Sequence, residues 1–212
     1  SSFYTLKCWA GWKLMQDPQQ NLNKLVDVFM PAYYGNAAKE MRNYYEFLED
    51  SIAKVPASYN NMAGMKTSQR PYLTLNFFTK AKSFFDKIEM LSALDKTHSL
   101  NVIQEKVIVD IALYIMWEKF VLESNKNLPW DKDSLLQDIE RKLGLLIDKR
   151  PEFSKLLGSA SLQERIVDLQ QKSEAFIYMD NPVPKLTVPY IEKVNANLEK
   201  VPWEKAAVDR KS

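Results

Sequence analysis

The chain contains few residues whose chemistry supports catalysis. Its 212 residues include one histidine, His98, and one cysteine, Cys8. A zinc site made of Cys and His side chains takes about four ligands, and a disulfide takes two cysteines, so the sequence excludes both within this chain. His98 falls in a predicted turn, where we expect it to be exposed. Cys8 falls on a predicted helix among apolar neighbours, where we expect a buried, inert thiol.

Carboxylates are the other candidate catalytic groups. Glycoside hydrolysis usually requires two of them flanking the scissile bond, about 5–10 Å apart. The acidic clusters in this chain are Glu46, Glu49 and Asp50, and Asp138 with Glu140. They fall on predicted polar helix faces, so we interpret them as solvated charges. The sequence therefore predicts no catalytic residue, no metal ligand and no cofactor in this chain.

Aromatic side chains that could stack on a sugar ring are concentrated in the first quarter of the chain. Their spacing matches buried helical stripes, so we expect most of them to pack helix interfaces. Tyr33 and Tyr34 are the exceptions, because they end a predicted helix beside Gly35 and one ring can face outward there. With Tyr59 and Asn60, from a polar loop at residues 56–71, they form the predicted ligand-binding set.

Composition and charge are ordinary for a globular protein, with 46% hydrophobic and 26% charged residues. The 29 basic and 27 acidic residues are interspersed and give a net charge of +2, so no basic run indicates nucleic-acid binding. No segment has some 18 consecutive apolar residues, and we expect no membrane span. Only five glycines occur, fewer than all-β or Gly-rich nucleotide-loop folds usually need.

Helical periodicity dominates the sequence. Leu6, Trp9, Trp12 and Met15 indicate the inner face of the first helix. In the fourth helix the inward residues are predicted to be Phe77, Phe78, Ala81, Phe84, Phe85, Ile88 and Leu91. The helices are predicted at residues 3–15, 22–34, 37–55, 73–94, 100–124 and 131–149, and from a capping box at Ser161–Glu164 to about residue 173.

Punctuating residues refine these bounds. Pro31 should kink or shorten the second helix, Gly35 should end it, and Asn36 should cap the third. A short helical piece at residues 153–157 and an extended segment at residues 176–178 complete the pattern. The fold class is therefore all-α: an irregular bundle of about six to eight helices with antiparallel hairpins at residues 1–175, followed by a Pro-rich, mostly irregular tail or linker at residues 176–212.

A string of matches near the start resembles a known family. Lys13–Pro18 is followed by apolar positions 22, 25, 26 and 29, then by Tyr33–Ala38, Met41 and Tyr44–Tyr45. This pattern is similar to the helical region that follows the catalytic barrel in uncharacterised bacterial glycoside-hydrolase-like proteins, which are related to α-glucuronidases and β-hexosaminidases. It departs from that family at Met15–Gln16, where Leu-Trp is frequent.

The resemblance implies a non-catalytic accessory domain that packs on a TIM barrel lying before residue 1 of the same polypeptide. The parent protein would then be a glycoside hydrolase, exported to the periplasm or the cell surface, with a glycan and a second copy of the chain as further partners. No nucleic acid is expected. The alternative is a stand-alone helical protein-interaction or scaffold module with no link to sugars.

Overall fold

A computed structural model describes residues 2–56, 67–124, 128–150 and 161–179. Within these ranges the chain forms eight α-helices and no strand, so the predicted all-α bundle is confirmed. The described residues up to Tyr178 belong to one compact unit. The helices are α1 (Tyr4–Gln16), α2 (Leu22–Tyr34), α3 (Ala38–Ala53), α4 (Leu75–Ser92), α5 (Ser99–Ile115), α6 (Trp117–Ser124), α7 (Lys132–Lys149) and α8 (Leu162–Met179), with 3₁₀ turns at Gly35–Ala37 and Thr67–Gln69.

Side-chain caps start four of the helices. Asn21, Thr74 and Asp131 each accept a hydrogen bond from the backbone N–H three residues on, at 3.2, 3.1 and 2.8 Å. The predicted capping box is confirmed, because Ser161 and Glu164 exchange hydrogen bonds at 2.6 and 3.2 Å. Each cap satisfies a backbone donor that the first turn of a helix leaves without a partner.

α5 lies at the centre of the bundle and packs against α2, α4, α6 and α7. The hydroxyl of Ser173 on α8 also donates to the carbonyl oxygen of Tyr114 at 3.0 Å. α4 and α5 are antiparallel, as predicted, since residue 82 pairs with residue 110 and residue 89 with residue 106. Burial therefore extends to most sides of α5, including its charged residues.

The helix predicted at residues 100–124 is in fact two helices that meet at Met116. Met116 has φ −85° and ψ −2°, outside the regular α-helical range, and its side chain is completely buried. Trp117 and Phe120, which follow, are buried as well. The sequence is apolar on both sides of the break, so periodicity gives no sign of it.

Aromatic side chains of the first four helices fill much of the core. Phe3 contacts Tyr34 and Tyr44, with ring centroids 6.3 and 5.7 Å away, and Tyr44 contacts Phe85 at 4.9 Å. The predicted inward face of α4 is confirmed for Phe77, Phe78, Ala81, Phe85 and Ile88, whereas Phe84 is half-buried and Leu91 is exposed. Leu91 lies in the last turn of α4, next to exposed Met90.

The end of α2 confirms the predicted position of Gly35, whereas Pro31 does not shorten the helix and Asn36 does not cap the next one. α2 runs through Pro31 to Tyr34, and the N–H of Gly35 donates to the carbonyl oxygen of Pro31. Asn36 does not cap α3, because the 3₁₀ turn intervenes. Its N–H instead faces Asp95 Oδ2 at 3.5 Å.

The prediction of an extended segment at residues 176–178 is wrong, because α8 continues to Met179. Helix propagation adds one hydrogen bond for each further residue, and the first proline after Ser161 is Pro182. The predicted helical piece at residues 153–157 and the tail beyond residue 179 lie outside the described residues.

Gly35 occupies a position that no other residue fits without strain. Its φ is +52°, a left-handed conformation that favours glycine. A Cβ at this position would lie 2.2 Å from Asp95 Oδ2 and 2.5 Å from His98 Nδ1. These two side chains are held together by a hydrogen bond of 2.8 Å, so they leave no room for a methyl group.

We expect Gly35→Ala to lower the free energy of unfolding by about 2 kcal/mol or more, through backbone strain and the forced separation of Asp95 from His98. The matched control is Gly11→Ala, because Gly11 is helical and a Cβ there meets nothing within 4 Å. That control should be neutral or stabilising by up to about 1 kcal/mol. Urea unfolding of both variants checks this, and equal effects would contradict it.

Candidate functional site

Tyr33 and Tyr34 are both committed to packing. The Tyr34 side chain is 0% exposed, so its ring is not accessible to a sugar. Tyr33 is half-buried: its ring stacks on Phe29 with centroids 4.8 Å apart, and its hydroxyl donates to Thr5 Oγ1 at 3.2 Å. Tyr59 and Asn60 lie outside the described residues, so their predicted contact with a ligand stays a prediction.

The predicted inner face of α1 is wrong for Trp12 and Met15, which are exposed. The predicted stripe has a constant spacing of three residues, and each such step turns the side chain by about 60° around the helix axis. Its third residue, Trp12, therefore no longer faces the core. Leu6 and Ala10 are buried, whereas Trp12 is 50% and Met15 77% exposed. Cys8 is also exposed, contrary to the prediction, because it lies about 200° around the helix from Leu6.

We define the α1 stripe as Tyr4, Cys8, Trp12 and Met15, which share one side of the helix at spacings of four, four and three. All four are exposed. Lys13 lies beside the stripe, with its Nζ 5.1 Å from the centroid of the Trp12 ring. α1 therefore presents apolar side chains both to the core and to solvent, which is the pattern of a helix with a further packing partner.

Glu105 attaches the start of α1 to the core. It is completely buried on α5, and its Oε2 accepts the Phe3 N–H at 2.7 Å. Phe3 has a φ of +54°, rare for a bulky residue, and this contact helps to hold it there. The Tyr34 hydroxyl is buried beside the same carboxyl.

Burial raises the pKa of Glu105 to about 7, although the Phe3 N–H, the Tyr34 hydroxyl and the charge of Lys7 act in the opposite direction. Burial and the neighbouring Glu105 charge also raise the pKa of Tyr34. This carboxyl titrates near neutrality, but it is enclosed by aromatic rings. No substrate has access to it, so we assign it a structural role.

A network of buried charges joins α4, α5 and α7. Its centre is Asp110, which is 0% exposed and receives Lys106, Lys142 and Lys82 at 2.9, 3.4 and 3.3 Å. Lys106 and Lys142 are almost completely buried. Both ammonium groups also reach the partly exposed Asp138 and Glu89. Three lysines thus face three carboxylates, and the exposed Arg141 adds a fourth cation at Asp138.

This network favours the charged forms of Lys106 and Asp138. Burial disfavours the ammonium form of Lys106, but Asp110 and Glu89 outweigh that effect and raise its pKa. Burial also disfavours the charged form of Asp138, whereas hydrogen bonds from Lys142 and Arg141 hold its pKa well below the usual range. A protonated amine is a poor nucleophile and a stably ionised carboxylate is a poor general acid, so the network supports helix packing rather than catalysis.

Sequence reasoning missed this network. Asp138 was expected on a solvated face, but it points toward Lys106 and Lys142. The available signal was the pair Lys106 and Asp110, four residues apart in the most apolar part of the chain, since buried charges need partners. Glu46 does lie at the surface, paired with Arg42 at 2.9 Å.

His98 is not a free turn residue. It is half-buried at the start of α5, and its ring nitrogen Nδ1 contacts both oxygens of Asp95 at 2.9 and 2.8 Å. The pKa of Asp95 is lowered by this contact. Within the described ranges no group of three or more His, Cys, Asp or Glu side chains is arranged to hold a metal ion, and no helix is long and apolar enough to cross a membrane.

Comparison of the chain with protein-family models, with curated protein sequences and with solved structures gives no significant match.

We expect Asp110→Asn to lower the free energy of unfolding by about 3–5 kcal/mol, because it leaves buried lysines without their shared counter-charge. The matched control is Asp168→Asn, which breaks the exposed pair with Lys172 at 2.6 Å and should cost less than about 1 kcal/mol. Denaturant unfolding distinguishes the two. A small effect for both variants would show that the network does not stabilise the bundle.

We expect stability to fall as the pH rises from about 4.5 to about 7, because folded Glu105 binds its proton more tightly than the unfolded chain does. The loss is up to about 3 kcal/mol and is complete above the folded pKa. Glu105→Gln keeps an acceptor for the Phe3 N–H and removes this dependence. Urea unfolding of both proteins at pH 5 and pH 8 measures it, and parallel pH profiles would contradict the assignment.

Proposed function

We propose that this chain is a non-catalytic helical module that packs on the catalytic TIM barrel of a carbohydrate-active protein, encoded in the same polypeptide. The observation that carries the docking part of this proposal is the α1 stripe. The link to carbohydrates comes from the sequence pattern between Lys13 and Tyr45. As part of the same proposal, the intact protein is a glycoside hydrolase and is exported to the periplasm or the cell surface.

The geometry of α1 supports docking through side chains rather than backbone. The stripe covers eleven residue steps, about 17 Å along the helix. Full burial of a large apolar side chain stabilises an interface by roughly 1.5–3 kcal/mol, and Trp12 and Met15 are both at least half exposed. An aromatic anchor beside a flexible methionine is a common composition at the centre of protein interfaces.

The surroundings of the charged groups support the proposal that this chain is non-catalytic. The buried charges of the described residues are held by one another, and Glu105 is enclosed by Phe3, Tyr34 and Tyr44. A hydrolase instead needs two carboxylates that face a substrate. In the proposed arrangement the barrel supplies that pair, and the helical module stabilises the barrel.

The test compares the intact polypeptide with this chain alone. We expect Trp12→Ser with Met15→Ser to lower the melting temperature of the intact protein by several degrees while leaving the isolated chain nearly unchanged, because only the former buries the stripe. Differential scanning calorimetry measures both. The matched control is Met90→Ser with Leu94→Ser, a pair of exposed apolar residues near the end of α4, which should change neither protein.

Two outcomes would overturn this proposal. One is an equal effect of the stripe variant on both proteins. The other is hydrolysis of chromogenic glycosides by the isolated chain that a substitution within these residues abolishes. An open reading frame without a barrel, together with a stripe that binds an unrelated protein, would instead support a stand-alone helical interaction module.

A further inference from the structure

A cleft of about 530 Å³ lies between α3, α4, α5 and the segment at residues 67–73. Its volume falls within the range of small-molecule sites, roughly 300–1,000 Å³. It lies apart from the α1 stripe, none of whose residues lines it. Most of its walls are aliphatic and aromatic, including Leu48 and Ile52 on α3 and Ile108, Ile111 and Ala112 on α5.

Two cations line this mostly apolar cleft, whose other polar lining residues are Ser2, Thr67, Tyr44 and Tyr72. The cations are Arg70 and Lys7, and the described lining includes no Asp or Glu. Arg70 is half-buried, and its guanidinium has neither a hydrogen-bond nor an ion-pair partner among the described residues. Lys7 is exposed and contributes charge toward Glu105 as well. A guanidinium without a partner is a group to which an anion can add charge-assisted hydrogen bonds.

The mostly apolar lining of the cleft favours some classes of anion over others. A sugar acid carries hydroxyl groups on every side, and the largely aliphatic and aromatic walls leave most of those groups without hydrogen-bond partners, which costs binding free energy. An alkyl chain has no such groups and gains by leaving water. The combination of a cationic rim and an apolar interior therefore fits a molecule with one acidic head and one apolar tail.

We propose that this cleft binds a medium- or long-chain carboxylate, with the acid group at Arg70 and the alkyl chain against α3 and α5. Arg70 supplies a planar fork of donors that matches the two oxygens of a carboxylate. Lys7 adds positive charge at the same cleft. This binding activity is independent of any docking by α1.

The experiment is a calorimetric titration of the whole chain with decanoate, kept below its micelle concentration. Decan-1-ol serves as the neutral match and glucuronate as the carboxylate without a tail. We expect saturable binding of decanoate, weaker binding of decan-1-ol and no binding of glucuronate. Arg70→Gln should weaken decanoate by about tenfold or more and leave decan-1-ol unchanged, because it removes a charged hydrogen-bond donor.

Two further variants keep the test decisive. Lys87→Gln changes an exposed lysine on α4 outside the cleft and should leave decanoate binding unchanged. Ala112→Phe fills the apolar end and should abolish binding, with circular dichroism as the check on folding. Equal affinity for decanoate and decan-1-ol, equal effects of the Arg70 and Lys87 variants, absent decanoate binding, or tighter binding of glucuronate would each overturn the proposal.

Discussion

The rest of the bundle depends on one constraint: the buried charge of Asp110 must be compensated by nearby lysines. α5 is enclosed by its neighbours, so a carboxylate on it has no water to solvate it. Lysines from α4, α5 and α7 supply the compensating charge within 3.4 Å. A helix–helix interface made only of Leu and Ile would tolerate sliding, whereas charges of this kind are satisfied at one register. The network therefore fixes how three helices align.

Glu105, a second buried carboxyl on α5, holds the start of α1 in place. It lies one residue from Lys106 on α5, yet it faces α1 and α2 rather than α7. Its hydrogen bond to Phe3 and the ring contacts of Phe3 with Tyr34 and Tyr44 hold the inner face of α1. Because α1 is attached through its start and through Leu6 and Ala10, its opposite side is left in solvent. The apolar stripe there follows from how α1 is anchored.

Two separate surfaces result from this arrangement, and they differ in chemistry. The α1 stripe is convex, apolar and aromatic, which suits a protein partner. The cleft beside Arg70 is concave, apolar and cationic, which suits a small amphipathic anion. Neither uses the charges of the Asp110 network, which stay paired within the bundle. The protein thus separates the groups that maintain its fold from those that are free to contact other molecules.

Local signals allowed the sequence by itself to determine the fold class, the helix starts at Leu22 and Lys132, the capping box at Ser161 and the glycine at the end of α2. Each depends on residues within a few positions of one another, so the information is contained in a short segment. Tertiary structure alone decided the break at Met116, the burial of Tyr34, and the partners of Asp110 and Glu105 that come from other helices and from Phe3. Those partners lie 28 or more positions away along the chain, as Lys82 does from Asp110 and Phe3 from Glu105. The sequence alone does not show whether a charged residue on a helix is solvated by water or paired with a lysine that is distant along the chain.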